Sequence, residues 1–245
     1  EFRNFDAYLE RGGNLFILGE PKRQQFMNPV IERLGLRFAD GIIVSPSEVN
    51  LDDLVAANIK EGAAKVSENY IRYFRSGYSI MTPSACAVEV IDSTKGFEIT
   101  EVLASAGKGS WVEKETTDFI NEKSVLNPAV GEVEKSNSIM LYLTRPVNNK
   151  EQRIFVIGDA DCISTLELSQ NRPGFRSSNF TLITETFRNL SYGEFPVEAS
   201  RVNPPDDRVL VTRNVIFGIR VVLMWIIPLL FVTGCITLLI RRKRR

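Results

Sequence analysis

The chain has 245 residues, 44% of them hydrophobic and 24% charged, a mixture that excludes both a disordered chain and a polytopic membrane protein. Of its 30 basic residues, five are the terminal Arg241, Arg242, Lys243, Arg244 and Arg245, which leaves 25 against 30 acidic residues in the remainder. That mildly acidic body argues against a nucleic-acid partner, because phosphates require a basic face.

The first residues already carry a helical pattern. Phe2, Phe5 and Leu9 recur at spacings of three and four, and Gly12-Gly13 closes the helix. A chain that opens in mid-pattern at Glu1 is expected to be the C-terminal part of a longer protein. Residues 15–18 read as a buried strand, broken at Gly19 and Pro21. Residues 28–34 read as a short amphipathic helix closed by Gly35, residues 41–45 as a second buried strand, and residues 51–57 as a helical turn. Residues 58–77 are polar and show no clear period. Residues 78–81 and 97–105 read as strands, and residues 111–115 as a strand or extended edge before a loop through Asn127-Pro128. Residues 139–144 form another strand, followed by a turn at Asn148-Asn149. The apolar run RIFVIG at 153–158 is the clearest strand of all. Residues 181–190 read as a helix with Asn179 as its N-cap. Strands alternating with helices predict an α/β domain over residues 1–199, with a largely parallel sheet flanked by helices. The polar, proline-bearing stretch that follows predicts a juxtamembrane linker over 200–214.

Residues 215–240 read as a transmembrane helix. The 20 residues from Val221 to Ile240 carry no charge and span about 30 Å at 1.5 Å per residue, the hydrocarbon thickness of a bilayer. Trp225 sits near one interface, and Pro228 predicts a kink. Residues 241–245 form a basic tail. Its five cations place the C-terminus in the cytoplasm and the domain on the opposite side.

The absence of histidine excludes Ser-His-Asp and Cys-His catalysis and any His-ligated metal. Cys86 and Cys162 are isolated and read as small buried residues, with a disulfide between them as the alternative in an oxidising compartment. AGKGS at 106–110 departs from a phosphate loop, since Val102 stands where the first glycine belongs. Asp159 and Asp161 follow the strand ending at Gly158 and therefore lie at the sheet's carboxyl edge. They read as turn-capping carboxylates, with oxygen ligation of a divalent cation as the sharper alternative. No catalytic residue and no cofactor is expected. NFT at 179–181 and NLS at 189–191 match the glycosylation sequon.

Several segments together carry a family resemblance: YLERGGNLFILGEP, LTRPVNNKEQRIFVIGDADCIS, NFTLITETFRNLSYGEFP and IIPLLFVTGCITLLIRRKRR. Their order resembles the gliding-motility-type (GldG-like) auxiliary components of ABC transporters. The chain departs from the family pattern at Cys162, where an aromatic residue is common, and near Thr165, where the family has Asn. The resemblance implies a glutamine-amidotransferase-like sandwich without that fold's Cys-His pair. It also implies a non-enzymatic partner of an ABC-2-type permease with a separate ATPase, located in the bacterial inner membrane with its domain in the periplasm. The competing expectation is a membrane-tethered domain that binds a ligand such as a glycan.

Overall fold

The computed structural model describes residues 2–172, 174–196 and 213–244. They fall into two units, divided between Val197 and Glu198. The predicted linker over 200–214 lies outside the described residues except for its last two positions, which are already helical.

The first unit contains ten strands: β1 (Leu15–Leu18), β2 (Leu36–Phe38), β3 (Ile42–Val44), β4 (Leu54–Ile59), β5 (Ile80–Pro83), β6 (Val88–Val90), β7 (Glu98–Ala104), β8 (Trp111–Glu113), β9 (Ser138–Val147) and β10 (Lys150–Ile157). Its helices are α1 (Phe2–Glu10), α2 (Gln24–Ile31), α3 (Glu68–Arg75), α4 (Thr165–Ser169) and α5 (Asn179–Leu190). Six strands form the main sheet in the order β1-β10-β9-β7-β4-β5. β2 pairs with β6, and β3 with β8, in two small antiparallel ladders.

The sheet is mixed, which corrects the expectation of a largely parallel one. Only β1 and β10 run parallel, and the other four junctions of the sheet are antiparallel. The cause is local. Asn148 and Asn149 both adopt positive φ, at 47° and 64°, and form the two-residue loop that joins β9 directly to β10. Two consecutive left-handed residues match the twist of a hairpin, and asparagine tolerates that region. That hairpin makes β9 and β10 antiparallel neighbours, and β7, β4 and β5 continue the antiparallel order.

Residues 51–57 are not a helical turn. Residues 54–59 form β4, in which Val55, Ala57 and Ile59 are buried at every second position. The unassigned 58–77 stretch supplies the end of β4 and all of α3. Ser67 caps α3, its hydroxyl accepting from the Asn69 amide at 3.1 Å. In β10 the alternation sends Ile154 and Val156 to one core and Phe155 and Ile157 to the other, and all four are fully buried. Leu9 of α1 and Ile31 of α2 cover the first face, and Tyr70 of α3 and Leu182 of α5 cover the second. The result is a three-layer α/β/α arrangement whose central strand is shielded on both sides.

The described residues of the second unit include one continuous helical stretch, Asn214–Lys243, 30 residues long and apolar enough to cross a membrane. It comprises α6 (Arg213–Val221), a π-helical turn (Val222–Ile226) and α7 (Ile227–Lys243). The π turn lies just before Pro228, whose ring clashes with the carbonyl four residues back and whose nitrogen donates no hydrogen bond. Widening the turn relieves both problems. Thr233 and Thr237 hand their hydroxyl protons to Leu229 O and Thr233 O at 2.9 and 2.7 Å, so neither presents an unpaired donor to an apolar surround. Arg241, Arg242 and Lys243 continue the helix instead of forming a separate tail, and Arg245 lies outside the described residues.

Candidate functional site

Because β1 and β10 are parallel, Leu18 and Ile157 end at the same sheet edge. The Gly19 amide donates to Ile157 O at 2.7 Å and extends the pairing by one step. The chain then turns on both sides, placing Glu20 after β1 and Asp159 after β10. Gly158 sits against the segment that carries Cys86. The Cys86 amide donates to Gly158 O at 2.9 Å, and a β-carbon at Gly158 would lie 1.8 Å from Cys86 O. No side chain fits there.

Asp159 is 1% exposed. Its Oδ1 accepts from the Asp161 amide at 2.7 Å, which closes the turn. Its Oδ2 is buried and has no hydrogen-bond partner. Burial raises the pKa of this carboxyl to about 8, and the charges of Asp161 and Glu20 add to the effect against the Asp161 amide. Glu20 is shifted the same way by burial and by Asp161. Asp159 is therefore a neutral acid at neutral pH, with one oxygen organising backbone and the other idle. Among the described residues, no three Asp, Glu or Cys side chains converge as a metal cage.

Cys86 and Cys162 are free, buried thiols. Each donates to a nearby carbonyl, Cys86 to Gly158 O at 3.1 Å and Cys162 to Asp159 O at 3.3 Å. Burial pushes the Cys86 thiol up to about 12 and raises Cys162 as well. Neither is a thiolate at neutral pH, so neither has the character of a nucleophile.

Asn179 belongs to the first turn of α5 and is not its N-cap; Ser178 holds that position without a capping bond. The Asn179 side chain works as a buried crosslink. Its Oδ1 accepts from the Met81 amide at 2.9 Å, and its Nδ2 donates to Met81 O and Cys162 O, each at 2.7 Å. An amide so committed and 2% exposed is no acceptor for a glycan. A side chain that reaches across to β5 and to the Cys162 segment cannot also fold back onto its own helix.

A second set of buried carboxylates draws its donors from polar loops that carry no pattern in the sequence. Asp52 accepts from the Ser124 amide at 2.8 Å and from Lys123 Nζ at 3.2 Å. Glu113 accepts from the amides of Glu115 and Thr116 and from the Trp111 indole, at 3.1, 3.0 and 3.2 Å. Glu132 accepts from the amides of Lys114 and Asn127 at 2.9 and 2.7 Å. All three are at most 2% exposed. Burial opposes ionisation of Asp52 and Glu113, but the amides outweigh it and hold both below the usual carboxylate range. Together they pin the long connection between β8 and β9.

Val221, Trp225, Pro228 and Ile240, expected from the sequence to anchor the chain in a membrane, all lie in the apolar helical stretch, with Trp225 inside the π turn. Set beside protein families, curated proteins and solved structures, the chain finds no match.

Proposed function

We propose that this chain is a non-catalytic auxiliary module of an ABC-2-type export system, tethered to the bacterial inner membrane with its α/β unit in the periplasm and its C-terminus in the cytoplasm. The observation that carries this reading is the pairing of a packed α/β unit with one 30-residue apolar helix ending in cations. The order of sequence segments, which resembles the gliding-motility-type components, supplies the identity of the system. The amidotransferase-like sandwich is part of the same reading. Deep burial of Cys86, Cys162 and Asp159 suits a scaffold, since groups sealed behind the sheet edge cannot meet a substrate. The partners are a permease and, through it, a separate ATPase, with lipid around the anchor.

The test is in-membrane crosslinking followed by affinity purification of the full chain from its native host. The expected result is co-isolation of a polytopic permease in a fixed ratio, lost when residues 213–245 are replaced by an unrelated membrane anchor. Recovery of the chain alone under crosslinking overturns the reading. A reporter fused after Arg245 checks orientation, and activity there of a strictly periplasmic reporter reverses it.

A further inference from the structure

At the end of the sheet where β1 and β10 begin, level at Leu15 and Ile154, α5 also stops, and the chain runs on from Pro196 towards the apolar helix. Four aromatic side chains gather at this end. Tyr8 of α1, Phe187 of α5, and Tyr192 and Phe195 of the turn after α5 are 39–58% exposed. Their placement is fixed from several segments at once. The Tyr8 hydroxyl donates to Asn14 O at 2.9 Å, the Asn14 side chain donates to Leu190 O at 2.7 Å, and the Tyr192 hydroxyl donates to Glu151 O at 2.7 Å. Phe187 meets Phe16 of β1 edge to face, with centroids 6.2 Å apart. The Phe195 amide donates to Ser191 Oγ at 2.9 Å.

Two features set these rings apart from scattered surface residues. Tyr192 stands just past the α5 cap with φ at 56°, the left-handed position that glycine usually fills. A glycine follows one residue later, so the chain holds a strained tyrosine where an unstrained alternative is at hand. In addition, both tyrosines keep the hydroxyl bonded and the ring partly exposed, the amphipathic arrangement of aromatics at a bilayer interface. The cations beside the rings are paired, Arg153 with Glu151 and Arg188 with Glu185, so attraction to a surface here rests on the rings and not on free charge.

The occupant follows from where the chain goes. Sixteen residues separate Pro196 from Arg213, the first residue of α6. Fully extended they reach about 55 Å, so a bilayer around the apolar helix is held near these rings at high effective concentration. We infer that this end of the α/β unit is a lipid-contact surface, its aromatic rings entering the headgroup region of the bilayer. The inference rests on the membrane tether proposed above and not on the transport role.

The test uses the full chain in phosphatidylcholine nanodiscs, with and without bromine on the acyl chains close to the headgroups, and reads tryptophan quenching. In the wild type Trp225 reports the span, and Trp111, 7% exposed in the α/β unit, supplies a background. Phe187→Trp and Phe195→Trp, each combined with Trp225→Phe, report the surface. Phe26→Trp in the same background is the control, a 63% exposed ring on α2, which follows the opposite end of β1. The expected result is loss of most of the added emission in Phe187→Trp and Phe195→Trp and none in Phe26→Trp. Quenching of Trp225 with none in Phe187→Trp or Phe195→Trp overturns the surface and leaves the tether standing. If that unquenched emission is also blue-shifted, protein covers the rings, a second copy included, and lipid is overturned as the occupant. Equal quenching in Phe26→Trp overturns the assignment to this end. An unquenched Trp225 overturns the tether and this inference with it.

Discussion

The three carboxylates that pin the long β8–β9 connection and the carboxylate after β10 are equally buried and do opposite things. Asp52, Glu113 and Glu132 each gather two or more donors, and around Asp52 and Glu113 those donors stabilise the charge despite the loss of water. Asp159 gathers one amide, leaves Oδ2 idle and faces two other acids, so it keeps its proton. Burial alone does not set the state of an acid. The number of donors that fold in around it does. The first arrangement replaces secondary structure in a connection of more than twenty residues, and the second makes a sheet edge sensitive to alkali.

The sharpest way to break the comparison is Glu113→Ala. It leaves two amides and the Trp111 indole without their acceptor and should cost about 3 kcal/mol, the scale for orphaning donors of a buried charged group. A loss under about 1 kcal/mol in chemical denaturation would show that water replaces the carboxylate and that the loop is not pinned from within.

Next in size is Asp159→Asn, with the opposite sign. The folded-state pKa of Asp159, about 8, stands above its unfolded value of 3.8. The folded state therefore binds the extra proton between those values. Stability from this group is complete below pH 3.8 and is lost as pH rises to about 8. Asparagine cannot ionise, so the variant should gain about 2 kcal/mol over wild type at pH 9, on the scale of a buried unsatisfied polar group, and show no gain at pH 4. Denaturation curves at the two pH values check this, and a pH-independent difference would contradict it.

Asp52→Asn should cost about 1 kcal/mol near neutrality, because the amide oxygen keeps one acceptor and loses the charge. The sign with pH is reversed here. The carboxyl lies below its ordinary 3.8, so its contribution is present above that value and disappears as pH falls through the folded pKa. The cost of the substitution should therefore shrink in acid, as read by melting temperatures between pH 3 and 7.

The smallest expected effect is Ser124→Ala. Its amide holds Asp52, but its own hydroxyl is buried without a partner. Removing that oxygen should change stability by less than about 0.5 kcal/mol. A larger loss in the same denaturation assay would reveal a hydrogen bond that the fold conceals.

Much of the fold was legible where one signal dominated. RIFVIG reads as a strand because four consecutive large apolar residues, Ile154 to Ile157, stand between a turn and Gly158, and residues 181–190 read as a helix from spacing alone. In the sequence β4 mimics a capped helix, because Leu51, Leu54 and Val55 sit three and four apart around Asp52-Asp53, while Ala56 and Ala57 blur the alternation that reveals a strand. Strand direction is written in Asn148-Asn149 and not in the alternation of elements. A two-residue turn with both residues left-handed already demands antiparallel neighbours, and that demand outweighs the alternation of helices and strands. The acids at the sheet edge are visible in the sequence by position, but the raised pKa of Asp159 is not, because it comes first from burial in the folded chain and then from acids that include Glu20, which follows β1 about 140 residues away.

Gly158 carries a consequence for divergence. With Cys86 O where a β-carbon would go, this position cannot drift through alanine or serine on the way to anything else. A lineage that preserves the crossing of β10 and the Cys86 segment must preserve this glycine while its surface, its loops and even the acids beside it are free to change. Distant cousins of this chain would then be recognised less by overall likeness than by an apolar strand ending in an obligatory glycine, opposite a small residue on the neighbouring segment.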